Sequence, residues 1–207
     1  MNWVLIGVTV LFFPLCMWSD KLTPLGRNLV IGGDSWFGVV GHVLVHRDLI
    51  HLFGNMIFLW VFGNAVCAKV GNLAYPFIYF GLGMLAGLMA VAVTGGRGVG
   101  ASGAINGIVG MFVVWYALNE ITCWYGYIFF YTANVGTFSV SSFWMVALWF
   151  AFDVWGLLDG TENLLGYVAH LVGFAAGFAL AVVLTLSRWV EMDRDERWLL
   201  QVFVGEE

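Results

Sequence analysis

Six stretches of mostly apolar residues run through this chain of 207 residues and constrain its fold more than any other feature. A helix that crosses the hydrocarbon core of a bilayer needs ~20 mostly apolar residues, within a range of about 17–25. The pattern therefore predicts an all-α, polytopic membrane protein with a bundle of six transmembrane helices. The six stretches cover roughly residues 2–18, 49–68, 73–93, 101–118, 138–158 and 164–187.

The composition excludes several other classes of protein. Hydrophobic residues make up 61% of the chain and charged residues 10%, whereas a soluble domain carries ~25% charged residues. The net charge of −5 offers no basic surface for nucleic acid. Three cysteines without zinc-ligand spacing predict neither a disulfide framework nor a metal site. We therefore expect lipid to surround most of the surface.

The chain divides into a predicted membrane domain, residues 1–187, and a charged, solvated tail, residues 188–207. Between the spans lie a long first loop, 19–48, and an aromatic segment, 119–137, which we expect at the membrane interface. Lysines and arginines near the span ends number four on each side. Because the tail holds the denser cluster, we expect both termini in the cytoplasm.

Polar residues inside the spans gather at one predicted depth. In six alternating spans, helices two, four and six run in the same direction. His51 and Asn55 stand near the start of helix two, Ser102 at the start of helix four, and His170 six residues into helix six, or ~9 Å at 1.5 Å per residue. All four are predicted on the extracytoplasmic side. Ionisable residues at membrane depth usually serve function.

These residue types suit nucleophilic catalysis. A serine hydroxyl is a weak nucleophile unless a base removes its proton, and His170 can be that base for Ser102. His51 and Asn55 are one helical turn apart and can donate to the same oxyanion, together with the backbone amide of Ser102. No carboxylate is clearly placed to orient His170, which predicts a dyad. Asp153, late in helix five, is interpreted as an interfacial or packing carboxylate.

Glycines predict a close contact between helices four and six. Gly103 and Gly107 lie on helix four, and Gly173 and Gly177 share the face of His170 on helix six. Small residues four apart let membrane helices approach closely.

Each feature taken alone has a structural explanation: a serine can cap a helix, glycines can pack, and a histidine can be a structural hydrogen bonder. Their joint occurrence at one depth favours catalysis. A transporter or channel would continue its polar residues toward the cytoplasmic side, but the inner halves of helices three and six are almost wholly apolar.

Three segments resemble the rhomboid family of intramembrane serine proteases. Residues 100–103 read Gly-Ala-Ser-Gly, and residues 169–177 read Ala-His-Leu-Val-Gly-Phe-Ala-Ala-Gly. Residues 42–56 read His-Val-Leu-Val-His-Arg-Asp-Leu-Ile-His-Leu-Phe-Gly-Asn-Met. The resemblance runs from about Gly41 to Leu186, in the order that the family has.

The resemblance implies a role for each matching residue. Ser102 corresponds to the nucleophile, His170 to the general base, and His51 and Asn55 to the oxyanion-stabilising pair. The supporting positions, some of which are structural or water-retaining, are Gly100, Gly103, Asn106, His42, His46 and Gly173. Some members carry an aromatic residue where Asn106 stands, and a Trp-Arg pair found in the first loop of some members is absent here, where Trp36 is the loop's one tryptophan.

The resemblance also implies a rhomboid-like fold and an activity. The six-helix bundle would enclose a cavity open to the extracytoplasmic face, with the first loop partly in the membrane and helix five as a lateral gate. The expected activity is cleavage of transmembrane segments of single-span or multi-span proteins without metal or cofactor, in a bacterial-type inner membrane. The alternative is an inactive rhomboid-like protein that binds or escorts client helices; such relatives typically lack the serine or the histidine. The sequence indicates no oligomeric state.

Overall fold

A computed structural model of the chain describes residues 1–19, 21–129, 132–160, 163–191 and 198–199, and most of these residues are helical. Within them the helices are α1 Asn2–Cys16, α2 Pro24–Asn28, α3 Gly38–Gly41, α4 Leu49–Val70, α5 Ala74–Thr94, α6 Ser102–Tyr116, α7 Ser142–Asp159 and α8 Leu164–Leu186.

Four of these helices, α4, α5, α7 and α8, are long and apolar enough to cross a membrane. The apolar helices α1 and α6 have 15 residues each. A helix of that length spans about 22 Å, less than the ~30 Å of a hydrocarbon core. A largely helical fold with four candidate membrane spans is therefore confirmed, whereas the count of six crossings stays a prediction.

Helix α6 is the centre of the bundle. Twelve of its 15 residues are buried, and it packs most extensively against α8, then against α5 and α4. A helix that is apolar on all sides suits such a central position. Ser102, as its first residue, is thereby held between the surrounding helices.

Glycines bring α6 and α8 into backbone contact, as the spacing predicts. A β-carbon at Gly173 would overlap the carbonyl oxygen of Gly103, and one at Gly177 would overlap that of Gly107. No larger residue fits this crossing without separating the helices.

The first loop is folded against the start of α6. After a short hairpin, β1 (Met17–Trp18) with β2 (Lys21–Leu22), it contains α2, α3 and a 3-10 turn at His42–Leu44. Ile31 pairs with Gly98 in an antiparallel bridge. The Gly100 N–H donates to the carbonyl oxygen of His42 across 2.9 Å. These bonds fix the segment that leads into Ser102.

Besides the short β1–β2 hairpin, the all-α prediction needs a larger correction between α6 and α7. Strands β3 (Glu120–Phe129) and β4 (Thr132–Ser141) form an antiparallel hairpin where the sequence predicts an interfacial loop, and α7 begins at Ser142 rather than near residue 138. Aromatic and β-branched residues favour a pleated backbone. Tyr125, Tyr127 and Phe138 lie on one face of the hairpin, and Trp124 lies on the other.

The predicted charged tail falls mostly outside the described residues, at 192–197 and 200–207. Of the part that the structure describes, Val190 and Leu199 are buried against the hydrophobic core. A fully solvated tail is therefore wrong at these two apolar positions, where burial removes hydrocarbon from water. The division of the chain at residue 187 stays a prediction.

Candidate active site

A cavity of about 610 Å³ lies among α4, α6, α7 and α8. It is lined by all four residues that the sequence predicts to act together, His51, Asn55, Ser102 and His170. Five further polar side chains line it as well: Arg47, Arg97, Asn106, Asp153 and Asn163. The fold thus brings these side chains to one cavity, while their chemical roles stay predictions.

The start of α4 positions the two predicted oxyanion donors. Asp48 caps this helix by accepting from the backbone N–H of His51 across 2.7 Å. His51 therefore lies in the first turn and Asn55 one turn later, on the same side. Asn55 is 8% exposed, and its Nδ2 has no hydrogen-bond partner among the described residues. A buried amide donor without a partner suits a ligand oxygen.

Gly100 lets the serine turn approach His51. Its φ is +131°, a conformation that other residues rarely adopt. A β-carbon there would lie 2.8 Å from Cε1 of His51 and 3.9 Å from Oγ of Ser102. The His51 ring and the Ser102 hydroxyl are therefore close neighbours across this glycine. Ser102 is the first residue of α6, so its backbone N–H has no acceptor within the helix and is available to donate to another group.

Asn106 supports the serine turn. Its Nδ2 donates to the Ser102 carbonyl oxygen across 3.0 Å, one helical turn away. This bond ties the Asn106 side chain to its own helix. In some members of the family that the sequence resembles, an aromatic residue at this position stacks on the catalytic histidine. Asn106 does not replace that contact with His170.

The structure shows a carboxylate next to His170, where the sequence alone leaves none clearly placed. The Nδ1–H of His170 donates to Oδ1 of Asp153 across 2.9 Å, and their side chains are 22% and 17% exposed. Asp153, interpreted from the sequence as an interfacial or packing carboxylate, is thus a hydrogen-bond partner of His170 that lines the cavity. The sequence does contain a sign that the two residues lie at the same depth. Asp153 stands six residues before the end of α7, and His170 stands six residues after the start of α8. Antiparallel helices joined by a short turn place such residues at one level.

Two further histidines lie behind the cavity in the first loop. His46 is completely buried, with its ring centre 5.0 Å from that of His51. Burial, with His51 nearby, lowers the pKa of His46 to about 4. Burial also lowers the pKa of His42, whose Nδ1 lies 2.9 Å from the Gly38 carbonyl oxygen. Both rings are therefore neutral at pH 7 and pack as structural groups.

The cavity combines the parts that acyl transfer requires. A hydroxyl at a helix N-terminus, an imidazole base and unpaired N–H donors line one space. Nucleophile, base and oxyanion donors are the three elements by which such a site is recognised.

Comparison with known proteins identifies the family of the chain. A family model described as a rhomboid domain matches residues 33–187. YdcA of Bacillus subtilis (strain 168) is 27% identical over 183 residues, which cover 84% of this chain and 82% of YdcA. RHOMBOID-like protein 5 of Arabidopsis thaliana is 32% identical over 171 residues, which cover 80% of this chain and 49% of that protein.

Rhomboid protease GlpG of Klebsiella pneumoniae is 28% identical over 145 residues, which cover 70% of this chain and 47% of GlpG. The chain thus spans about half the length of GlpG and of RHOMBOID-like protein 5. The matched domain contains the whole cavity except Leu22 and Val30. Because the family model covers well over half of the chain and the long apolar helices agree with it, this protein is an integral membrane member of the rhomboid family.

Proposed function

We propose that this chain is an intramembrane serine endopeptidase that cleaves transmembrane segments of other membrane proteins near the extracytoplasmic face. The observation that carries the proposal is the presence of Ser102, His170, His51 and Asn55 in one cavity between long apolar helices. Relatives with the name rhomboid protease support the same reaction class.

In the proposed reaction Ser102 Oγ attacks the carbonyl carbon of the scissile bond while His170 takes the hydroxyl proton. Asn55, His51 and the Ser102 N–H donate to the oxygen that becomes negative. His170 then passes its proton to the leaving nitrogen as the C–N bond breaks. Water, activated by the same imidazole, hydrolyses the acyl-enzyme and restores Ser102.

The proposed substrates are helices of single-span or multi-span proteins. A peptide bond must leave its helical hydrogen bonds before it can reach Ser102, so cleavage favours segments with glycine or proline. Helix α7 is the proposed lateral gate, because 17% of its most apolar stretch is buried, against 28–39% in α4, α5 and α8. Few packing contacts leave it the easiest of these four helices to displace.

The proposed location is a bacterial-type inner membrane with both termini in the cytoplasm. Arg188, Arg194 and Arg197 in the tail support this orientation through the positive-inside rule. It puts Ser102, at the opposite end of α6 from the hairpin, on the extracytoplasmic side. The inactive, client-binding alternative loses support because both Ser102 and His170 are present.

Cleavage of a panel of single-span helices by the purified protein tests the proposal. Ser102→Ala and His170→Ala should each abolish cleavage, and Ser102→Ala should also abolish labelling by a fluorophosphonate probe. Ser187→Ala, at the far end of α8, changes the same residue type away from the cavity and should keep both activities. Cleavage by a well-folded Ser102→Ala protein would contradict the mechanism.

A further inference from the structure

A serine–histidine dyad does not use a hydrogen bond from the histidine to a carboxylate, such as the one between His170 and Asp153. We propose that Asp153 is a positioning residue for His170, so that the active site works as a serine–histidine–aspartate triad assembled from α6, α7 and α8. This inference rests on the proposed protease function. It starts from the 2.9 Å bond between Oδ1 of Asp153 and Nδ1 of His170.

The bond lies in the middle of a packed interface. On one side of it the rings of Phe150 and Phe174 are 5.0 Å apart. On the other side Gly156 makes room for the ring of Tyr167, because a β-carbon at Gly156 would overlap that ring.

The spacing of these contacts agrees with two antiparallel helices. Positions 150, 153 and 156 are three residues apart and share one face of α7. Contacts above and below the Asp153 carboxylate therefore hold it at the level of the imidazole.

No other described residue competes for this role. Among the residues that the structure describes, Asp153 is the one hydrogen-bond partner of His170. The Asn106 amide is bound to the Ser102 carbonyl oxygen. An imidazole without a partner at Nδ1 can rotate and can carry its proton on either nitrogen. The carboxylate removes both freedoms, since an ionised Asp only accepts hydrogen bonds.

The chemical consequence concerns the other ring nitrogen of His170, Nε2. With Nδ1 protonated and bound to Asp153, Nε2 of His170 is left with a free lone pair that can accept the Ser102 proton. The imidazolium formed in that step is then stabilised by the adjacent carboxylate, which keeps its own charge and takes no proton. The proton passes from Nε2 to the leaving nitrogen as the peptide C–N bond breaks.

The location of Asp153 on α7 adds a structural consequence. The orientation of the base depends on a helix that is less buried than α4, α5 or α8. Only while α7 is packed against α8 does the carboxylate reach His170. The catalytic base is therefore coupled to the position of α7.

Asp153→Asn and Asp153→Glu, compared in the full-length protein, test this role. Asp153→Asn removes the charge at nearly constant size and should lower kcat by between about tenfold and 10⁴-fold, the larger value being the loss in a soluble triad. KM should stay unchanged. Asp153→Glu should restore part of kcat. Asp159→Asn makes the same change at the exposed end of α7 and should keep wild-type kcat.

Two further measurements separate positioning from packing. The rate of Ser102 labelling by a fluorophosphonate should fall with kcat in Asp153→Asn. Nitrogen-15 spectra of histidine-labelled protein should show a single His170 tautomer, with the proton on Nδ1, in the wild type and a mixture in Asp153→Asn.

Wild-type kcat and an unchanged tautomer in Asp153→Asn would overturn the inference and leave the protease function intact. Equal losses in Asp153→Asn and Asp153→Glu, together with a lowered Tm, would show a packing role and overturn it as well. A wild-type protein that neither cleaves nor labels would overturn the proposed function, and the inference with it.

Discussion

Asn55 and Gly100 illustrate how single residues distinguish a site from ordinary packing. Buried amides normally find a partner, yet Asn55 Nδ2 lacks one among the described residues while it lines the cavity. Gly100 adopts φ +131° and stands against His51. A buried amide without a partner costs about 1–3 kcal/mol, and any residue other than glycine would be strained at position 100. Gly100 stands beside Ser102, and Asn55 lines the same cavity, where its amide is available to a ligand oxygen.

His46 makes the stability of the protein depend on pH. Its pKa is 6.5 in the unfolded chain and about 4 in the fold because of burial. The unfolded state therefore binds more protons between these values, and stability falls as pH decreases from 6.5. At pH 5 the His46 contribution amounts to a loss of about 2 kcal/mol. The melting temperature in detergent should drop accordingly between pH 7.5 and pH 5.

His46→Phe isolates this contribution, because it keeps an aromatic ring and removes the titration. Its melting temperature should vary less between pH 7.5 and pH 5 than that of the wild type. The same drop in both proteins would mean that other groups cause the pH dependence.

Among the helices, the contact between α6 and α8 sets the relative positions of Ser102 and His170. Gly103 directly follows Ser102, and Gly173 lies three residues after His170. The carbonyl oxygen of Gly103 occupies the space that a side chain at Gly173 would need. Backbone contact therefore sets the separation of the two segments that carry Ser102 and His170, the proposed nucleophile and base.

Gly173→Ala should therefore reduce activity more than it reduces stability. The added methyl group must push α6 away from α8, and ~1 Å of misplacement at a catalytic pair can cost about 10²-fold in rate. The measurement is kcat/KM for a single-span substrate beside the melting temperature.

Gly81→Ala is the matched control, because no atom lies within 4 Å of a β-carbon at Gly81 of α5. It should keep wild-type kcat/KM and gain about 0.5–1 kcal/mol of stability, as expected for Gly→Ala within a helix. Equal rate losses at positions 173 and 81 would mean that this contact does not set the catalytic geometry.

At the scale of the whole molecule, different charged groups lie at the two ends of the helix bundle. The Met1 ammonium donates to Oδ1 of Asn72 across 2.6 Å, which places the N-terminus beside the turn between α4 and α5. At the other end, Arg97 pairs with Asp34 near the entrance of the cavity. The hairpin follows the end of α6 that is remote from Ser102.

Cysteine labelling in right-side-out membrane vesicles should reveal this polarity. Asp34→Cys and Thr137→Cys, each in a Cys123→Ser background, place a thiol at an exposed position at either end. Cys16 and Cys67 are buried and should react slowly. A membrane-impermeant maleimide should label position 34 in sealed vesicles and position 137 only after they are opened. The reverse pattern would invert the proposed orientation.

Apolar segment lengths and the spacing of polar residues predicted a helical membrane protein and the group of Ser102, His170, His51 and Asn55. These features are local, since a 3.6-residue period and the alternation of spans suffice to fix depth and face. The same local chemistry also predicted the glycine contact between α6 and α8. The hairpin was missed because aromatic residues suit both an interfacial loop and a strand.

The partner of His170 depended on long-range packing. Asp153 reaches the imidazole because Gly156 accommodates Tyr167 and thereby sets the rotation of α7 against α8. Asn2 is similar: it is buried because its side chain donates to the Leu59 carbonyl oxygen and accepts from Tyr75 Oη. Spacing along the chain gives the depth of such residues, but the side that a helix turns toward its neighbour follows from the combined fit of side chains on several helices.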